Sequence, residues 1–234
     1  IRFDKKSGLY FMYETYGGLV AAGGYNMRLF RSKTLFGPYT DPAGNWAQNS
    51  GANVNRYGVK LIGNYQFRNQ PGYKAAGHNS VLFTEAGKHY LIFHQRFADS
   101  SKGEYHEVRV REQFLNQDNW LVTAVYENKN EKIGKYTEND VVGSYEFINH
   151  GNAEKDGSMI KTQRINLEKR GGVSGELTGN WSMSDGEDYT YITLTLSGVV
   201  YKGVVFRQSD DNNVLKMTFT AIGNNNLAVW GSMN

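Results

Sequence analysis

The apolar segments of this chain are short, and nearly every one is rich in aromatic or β-branched residues and bounded by Gly, Asn or Asp. Strands have this pattern, whereas amphipathic helices repeat their apolar residues over longer stretches. The first half contains seven such segments, at residues 9–16, 25–31, 59–65, 80–83, 90–96, 106–114 and 121–126. The pattern predicts an all-β protein.

Two polar turns begin similar units in the first half. The sequences DKKSG at 4–8 and TEAGK at 84–88 contain Gly and are each followed by an aromatic strand, which predicts tight hairpins. IRFDKKSGLYFMYETYG and SVLFTEAGKHYLIFHQRF both read as strand, turn, aromatic strand and polar exit. Repeated units of this kind indicate the blades of a β-propeller.

The second half has a different pattern. Residues 127–140 are polar and without period, which predicts a border between domains. After them, TYITLTL at 190–196 and VLKMTFTA at 214–221 alternate between apolar and polar residues, as half-buried antiparallel strands do. With the segments at 197–208 and 227–234, they predict a small closed or sandwiched β domain. We therefore predict two domains, residues 1–130 and 131–234.

Composition excludes several classes of protein. The chain has no Cys, so it can form neither disulfides nor thiolate metal sites. Its apolar runs are too short to span a bilayer, which argues against a membrane protein. Net charge is only +3, and no basic cluster is interleaved with aromatics, so we predict no nucleic-acid partner. The first residues contain neither a starting Met nor the apolar stretch of a secretory signal, which predicts a processed or partial chain.

Six motifs of the first half occur in a fixed order: LYFMYETYGGL, GGYNMRLFRSKTLFGPYTD, GVKLIGNYQF, AAGHNSVLF, YLIFHQRF and GEYHEVRV. Similar segments occur in the same order in the arabinanases of glycoside hydrolase family 43. The chain resembles the extracellular endo-type 1,5-α-L-arabinanases that carry an extra C-terminal β domain. The resemblance covers roughly the whole chain and is strongest over residues 9–126.

The resemblance implies a five-bladed β-propeller that binds arabinan in a groove across its axis and cleaves it with inversion. Such chemistry requires a general base, a general acid and a third carboxylate that orients the acid. The chain resembles the last blades of the propeller followed by a small β-barrel or sandwich domain. It follows that the general acid Glu and both Asp are expected upstream of Ile1, and no residue here is assigned a catalytic role.

The resemblance also implies a metal site and a substrate-binding set. His78, in GHNS, matches a His that binds one calcium ion, largely through waters; taken alone, a His after Gly at a strand start is more often a turn residue. The implied substrate-binding residues lie near the ends of inner strands: Tyr16, Gly17, Gly18, Asn79, His94 and Arg96. His106 is predicted to be structural, and a plain turn is the alternative for residues 16–18.

Three carboxylates lie near the matching motifs, and we predict structural roles for all of them. Glu14 stands where the family usually has an apolar or small residue. Glu104 and Glu107 flank a strand start and are predicted to bind backbone or Arg109.

The chain departs from the family after VRV, where Arg111 and Glu112 replace the usual His-Gln pair. It departs again at 119–121, where Asn-Trp-Leu replaces Gly-Trp-Pro. These changes concern the outer edge of the last blade. In the C-terminal domain, Trp181 and Trp230 are candidate sugar platforms, with buried core positions as the favoured alternative.

Two functions follow, from different classes. The first is part of an arabinan-degrading hydrolase, acting outside the cell or in the periplasm, with its other blades as partner on a second chain or lost. The second is a non-catalytic carbohydrate-binding remnant; a lectin-like propeller is a third, smaller alternative. Open strand edges and an exposed inner face predict that the isolated chain is not a stable monomer.

Overall fold

The computed structural model describes residues 1–52, 54–153 and 157–234, and antiparallel strands form most of it. The predicted all-β class is confirmed. The first sheet has the order β1-β2-β3-β4 and the second the order β5-β6-β7-β8-β9. The strands are β1 (Arg2–Asp4), β2 (Leu9–Tyr16), β3 (Asn26–Ser32), β4 (Val59–Lys60), β5 (Tyr65–Gln66), β6 (Gly72–Phe83), β7 (His89–Phe97), β8 (His106–Leu115) and β9 (Leu121–Thr123).

Both sheets are meanders, in which each strand pairs with the next one along the chain, as in propeller blades. The two predicted hairpin turns are confirmed. In the first, the N–H of Gly8 donates to the carbonyl of Asp4 at 2.9 Å, and in the second, the N–H of Thr84 donates to the carbonyl of Lys88 at 2.8 Å.

Three predicted strands have different bounds in the structure. The segment 59–65 is not one strand, because β4 closes the first sheet and β5 opens the second, with the buried residues Leu61 and Ile62 crossing between them. The segment 80–83 is the end of the longer β6, and 121–126 is extended only as far as Thr123.

The second half forms a closed eight-stranded barrel, so the choice between barrel and sandwich is settled. Closure comes from pairing of the first barrel strand with the last, for example Phe147 with Gly231. The strand predicted at 190–196 is confirmed. The barrel strands are β10 (Gly143–Asn149), β11 (Gln163–Leu167), β12 (Gly172–Gly175), β13 (Gly179–Asp185), β14 (Thr190–Leu196), β15 (Val199–Ser209), β16 (Leu215–Gly223) and β17 (Ala228–Met233).

Helices are few and short in the described residues. The sequence predicts a domain border at residues 127–140; of these, 127–137 form no helix or strand, and the rest belong to α1 (Glu138–Val141). Short 3₁₀ segments occur at Ala47–Ala52, Val54–Arg56, Ser100–Lys102 and Lys169–Gly171. None of the helices described has the length and hydropathy that crossing a membrane requires.

The barrel is filled by its own side chains. Inward-facing residues such as Phe147, Ile192 and Phe219 form one core cluster with Trp181, which is 5% exposed. Trp230, 0% exposed, faces the other way, into the sheets. Both tryptophans are therefore core residues and not sugar platforms, as the favoured alternative predicted.

A second core joins the barrel to the sheets. Trp230 and Phe206 of the barrel pack in one cluster with Tyr65 of the second sheet. The buried guanidinium of Arg111 lies 4.8 Å from the Trp230 ring and donates to the hydroxyl of Tyr65. His150 stacks edge-on against Trp230, with ring centroids 4.2 Å apart. The barrel and the sheets thus share a continuous apolar interior.

Candidate functional site

Loops from both sheets converge at one end of the first half. Thr15, at the end of β2, donates its hydroxyl to the side-chain oxygen of Asn79 in β6 at 3.3 Å. Arg96, at the end of β7, donates through Nε to the carbonyl of Leu19 at 3.0 Å. In the sheet register, Gly77 lies opposite His94. The structure therefore brings the six residues of the predicted substrate-binding set to one end of the two sheets.

The GHNS motif is an irregular part of β6. The pairing of β6 with β7 shifts register between Lys74 and Gly77 and again between Gly77 and Ser80. Ala75 and His78 have left-handed backbone φ angles of 52° and 51°, which are uncommon for residues other than Gly. Bulges of this kind re-aim side chains at functional edges. Here the bulge leaves the His78 side chain exposed.

Three histidines form a row at this end, which we name the imidazole row: His78, His94 and His106. The ring centroids of His78 and His94 are 6.1 Å apart, and those of His94 and His106 are 4.9 Å apart. Sequence reasoning placed His106 in a structural role and missed its contact with His94. No local signal in the sequence indicates this contact, because it depends on the β7–β8 register, which places His106 opposite Arg96.

His94 lies in the middle of the row, and its surroundings shift its pKa. Burial lowers its pKa below the ordinary histidine value, and the neighbouring His106, Arg96 and His78 lower it further. Its Nε2 atom is buried and has no hydrogen-bond partner among the described residues. The neutral form therefore prevails near pH 7, with one ring nitrogen unsatisfied by protein groups.

Tyr25 covers the row on one side and was also missed by sequence reasoning. It is 8% exposed, and its ring meets His94 edge-on with centroids 5.5 Å apart. An aromatic residue after GlyGly was visible in the sequence, but nothing local indicated its packing against His94.

Residues 17–24 form a closed loop between β2 and β3, which we name the glycine loop. The N–H of Gly18 donates to the carbonyl of Gly23 at 2.9 Å. Gly17 has φ 84°, and a Cβ at this position would lie 2.7 Å from the carbonyl oxygen of Gly24. The lack of a side chain at Gly17 therefore lets its backbone pack closely against the backbone of Gly24, on the other side of the same loop.

Tyr16 and Arg96 both bind protein groups in the structure. The hydroxyl of Tyr16 donates to the carboxylate of Glu14. Arg96 is 9% exposed, and its guanidinium donates to the carbonyls of Leu19 and Glu104 and lies 3.2 Å from the Glu104 carboxylate. Contact of either side chain with a sugar stays a prediction.

The carboxylates at this end are also engaged. Glu104 accepts the backbone N–H of Ala21 at 3.1 Å, and Glu107 pairs with Arg109. The predicted backbone and arginine contacts of Glu104 and Glu107 are confirmed. Glu14 accepts the hydroxyl of Tyr16, so each of the three carboxylates singled out in the sequence contacts a protein group.

The described residues contain no group of three His, Asp or Glu side chains arranged to hold a metal ion. What this end offers a cation is the exposed imidazole of His78, with the unsatisfied Nε2 of His94 in the neighbouring ring. An ion held through one imidazole and waters fits this donor set, whereas a full shell of protein ligands does not.

Comparison with known proteins agrees with this architecture. Residues 125–231 match the family model of the C-terminal lipocalin-like domain of glycoside hydrolase family 43. The chain is 39% identical over 249 residues to extracellular endo-α-(1→5)-L-arabinanase 2 of Bacillus subtilis strain 168, covering 99% of this chain and 51% of that protein. It is 35% identical over 247 residues to the extracellular arabinanase of Thermotoga petrophila, again covering 99% of this chain and 51% of the relative.

Two solved structures superpose on the whole chain. The endo-1,5-α-L-arabinanase from Thermotoga petrophila RKU-1 gives a TM-score of 0.93 at 33% identity, and the family 43 YxiA protein from Bacillus licheniformis gives 0.92 at 37%. Each alignment covers 100% of this chain and 54% of the other. The chain spans about half the length of the curated relatives it matches.

Proposed function

We propose that the chain is part of a protein of glycoside hydrolase family 43, and that the whole protein degrades arabinan by hydrolysing α-1,5-L-arabinofuranosidic bonds. One observation carries the proposal: 99% of the chain aligns, at 39% identity, with a protein named as an endo-arabinanase. The superposition on the Thermotoga petrophila endo-arabinanase supports it.

The reaction proposed is hydrolysis with inversion. One carboxylic acid protonates the leaving oxygen, and a carboxylate on the opposite side activates a water molecule. Because Glu14, Glu104 and Glu107 are all bound by neighbouring groups, we assign none of them to this chemistry. The general acid Glu and the two Asp are proposed to lie upstream of Ile1 in the whole protein.

The role proposed for this chain is to build one side of the groove. Tyr16 supplies an aromatic ring, and Asn79 is held in place by the hydroxyl of Thr15. Gly17 and Gly18 keep the glycine loop flat against its other side. His94 and Arg96 lie next to each other on the same strand end, where the groove would cross the sheets.

A calcium ion is proposed at His78, held through that imidazole and waters. The exposed ring and the orphaned Nε2 of His94 support it. When bound, a divalent cation would order nearby waters and lower the pKa values of neighbouring acids. The chain's own contribution is the β6 bulge, which aims His78 outward, and the neutral His94 beside it.

The remaining propeller blades are proposed as the partner of the first sheet, on the same polypeptide or on a second one. The relatives are about twice as long as the part that aligns with this chain. The first sheet also leaves Ile1 and Phe3 56% and 46% exposed, as expected for an apolar surface that another element covers. Both curated relatives are named extracellular, and we propose an extracellular or periplasmic location for this protein.

A second candidate function is carbohydrate binding without cleavage. The contacts of Glu14, Glu104 and Glu107 with other protein groups favour this second function for the chain taken alone. The two functions make different predictions for the whole protein, because a binding remnant would release no sugar.

The proposal is tested by incubating the whole protein with linear 1,5-α-arabinan and, as a matched control, with β-1,4-xylan. We expect arabino-oligosaccharides from the first substrate only, with the anomeric configuration of the first product inverted by proton NMR. Binding of arabinan without any product would support the second candidate instead. Equal action on both polymers would contradict the proposed substrate.

A further inference from the structure

The glycine loop is tied to the second sheet by two residues. Arg96 donates to the carbonyl of Leu19, inside the loop, and to the carbonyl of Glu104, in the β7–β8 connection. The carboxylate of Glu104 in turn accepts the N–H of Ala21, at 3.1 Å from Oε2 and 3.4 Å from Oε1. The ion pair between Arg96 and Glu104 completes the connection at 3.2 Å. We name these contacts the Arg96–Glu104 brace.

The opposite side of the loop is in contact with the barrel. A Cβ on Gly157, between β10 and β11, would lie 2.6 Å from the carbonyl oxygen of Ala22. Within the loop, a Cβ on Gly23 would lie 2.7 Å from the carbonyl carbon of Gly18. The loop is therefore packed against backbone on two sides, and the brace holds the third.

The brace leaves apolar side chains pointing outward. Leu19 and Val20 are 59% and 55% exposed, and Tyr105, which follows Glu104, is 73% exposed. Because one guanidinium binds the carbonyls of both Leu19 and Glu104, the backbones that carry these side chains are neighbours. Tyr105 also precedes His106 of the imidazole row. We name Leu19, Val20 and Tyr105 the apolar wall.

Exposing apolar side chains to water costs free energy, and a group of exposed apolar side chains often marks a binding surface. Sugar rings present C–H faces that pack on aromatic and aliphatic side chains, and a tyrosine ring serves this purpose with little loss of side-chain entropy. A wall that is held in place by hydrogen bonds and an ion pair loses little further freedom on binding.

We propose that the apolar wall is a specificity-determining surface for the carbohydrate chain, and that Arg96 and Glu104 are the residues that position it. Tyr105 stacks on a furanose ring next to the imidazole row, with Leu19 and Val20 beside it. The inference rests on the proposed function for the identity of the sugar. The existence of the Arg96–Glu104 brace does not depend on the proposed function, because its contacts are present in the protein without ligand.

The brace is tested first, without ligand, by hydrogen exchange on the whole protein. In Glu104→Ala, we expect the Ala21 amide to exchange about tenfold faster, because its charged acceptor is lost. The matched control is Asp118→Ala, which removes an exposed ion pair with Lys202 away from the loop. Unchanged Ala21 exchange in Glu104→Ala would overturn the brace, whatever the protein binds.

The wall is tested with arabino-oligosaccharides of increasing length. We expect Tyr105→Ala to raise the KM for longer oligosaccharides about three- to tenfold, with kcat unchanged, and Tyr105→Phe to restore wild-type KM because the ring is kept. Glu104→Ala should raise KM in the same way, since the wall is then unanchored. Phe36→Ala, which removes a side chain 94% exposed elsewhere, is the matched control.

The possible failures are distinguishable. Wild-type KM in both Tyr105→Ala and Glu104→Ala, in a protein that cleaves arabinan, would overturn the wall and leave the proposed function standing. A wild-type protein that neither binds nor cleaves arabinan would overturn the proposed function and the sugar-binding role of the wall, while the exchange experiment still decides the brace. A fall in kcat alone would also contradict the wall, because the wall would not touch the reacting atoms.

Discussion

Gly77 lies directly beneath the ring of Tyr25: a Cβ on Gly77 would come within 3.0 Å of three ring carbons. The same ring meets His94 edge-on at 5.5 Å between centroids. The absence of a side chain at Gly77 therefore decides where Tyr25 lies, and Tyr25 in turn shields His94 in the imidazole row.

We predict that Gly77→Ala destabilises the protein by about 1–3 kcal/mol, because the methyl group overpacks a buried site. It should also displace Tyr25 and expose His94, so the pKa of His94 should move back toward the ordinary histidine value. Urea denaturation and NMR titration of the His94 ring would measure the two effects. Gly134→Ala is the control, since no atom lies within 4 Å of its Cβ position. An unchanged His94 pKa in Gly77→Ala would refute the packing argument.

Acid sensitivity is expected from His150. Burial lowers the pKa of its imidazole well below the ordinary value, and the charges of Lys60 and Arg111 act in the same direction. The unfolded chain therefore binds a proton at this site near pH 6.5 while the folded protein does not. Stability should fall as pH drops below about 6.5, with a slope of up to about 1.4 kcal/mol per pH unit from this group, and His94 adds to it with the same sign.

His150→Asn tests this expectation, because its side-chain oxygen can accept the Gly63 N–H that now donates to Nδ1 at 3.1 Å. The variant should lose part of the slope between pH 5 and 7 in urea denaturation. The carboxyl group of Asp4 affects the stability of the protein over a separate, lower pH range. Burial alone would raise its pKa, but hydrogen bonds from His89 and Ser7 lower it to about 2, so its contribution is lost only as pH falls from about 4 toward 2. A full slope in His150→Asn would show that other groups cause the acid sensitivity.

Arg111 is the polar centre of the junction between the sheets and the barrel. Its guanidinium is 1% exposed and donates to Tyr65 and to the carbonyls of Ala124 and Val125. Arg111→Met should cost about 2–4 kcal/mol, since these buried acceptors would be left unpaired. Arg207→Met, which removes a side chain 48% exposed, should cost less than about 1 kcal/mol. Equal costs in equilibrium denaturation would mean that the junction does not depend on Arg111.

The proposed calcium ion gives a prediction for His78. Titration calorimetry on the whole protein should show one bound calcium ion, and His78→Ala should weaken its affinity by about tenfold or more. Chelation should lower arabinan cleavage by the wild type more than it lowers the residual activity of the variant. The control is Lys74→Ala, because Lys74 lies on β6 like His78. His89→Ala is unsuitable as a control, because His89 is buried and paired with Asp4. Equal calcium affinity in His78→Ala and the wild type would contradict the site.

Local patterns in the sequence predicted the elements whose geometry is itself local. The hairpins at 4–8 and 84–88 follow from their turn residues, and the strand at 190–196 follows from strict alternation. The sequence predicts one strand over 59–65, because β propensity does not show which sheet a residue joins. Its crossing from the first sheet to the second depends on burial of Leu61 and Ile62 between them.

The shared location of the predicted site residues could be expected from the sequence, but their contacts could not. Resemblance to a family placed the six predicted residues and His78 at one end of the sheets. The bond between Ala21 and Glu104, 83 positions apart, and the packing of Tyr25 on His94 could not be read from the sequence. Such contacts depend on register and on loop closure between blades, which leave no local periodicity.

The most direct test of the account is release of reducing sugar from linear 1,5-α-arabinan by this purified 234-residue chain, compared with the whole protein at equal concentration. The account predicts no release by the chain alone and chelator-sensitive release by the whole protein, because we propose that the chain supplies a wall of the groove and that the reacting carboxylates lie upstream. Sustained release by the chain alone would contradict it, and would mean that carboxylates within these 234 residues perform the hydrolysis.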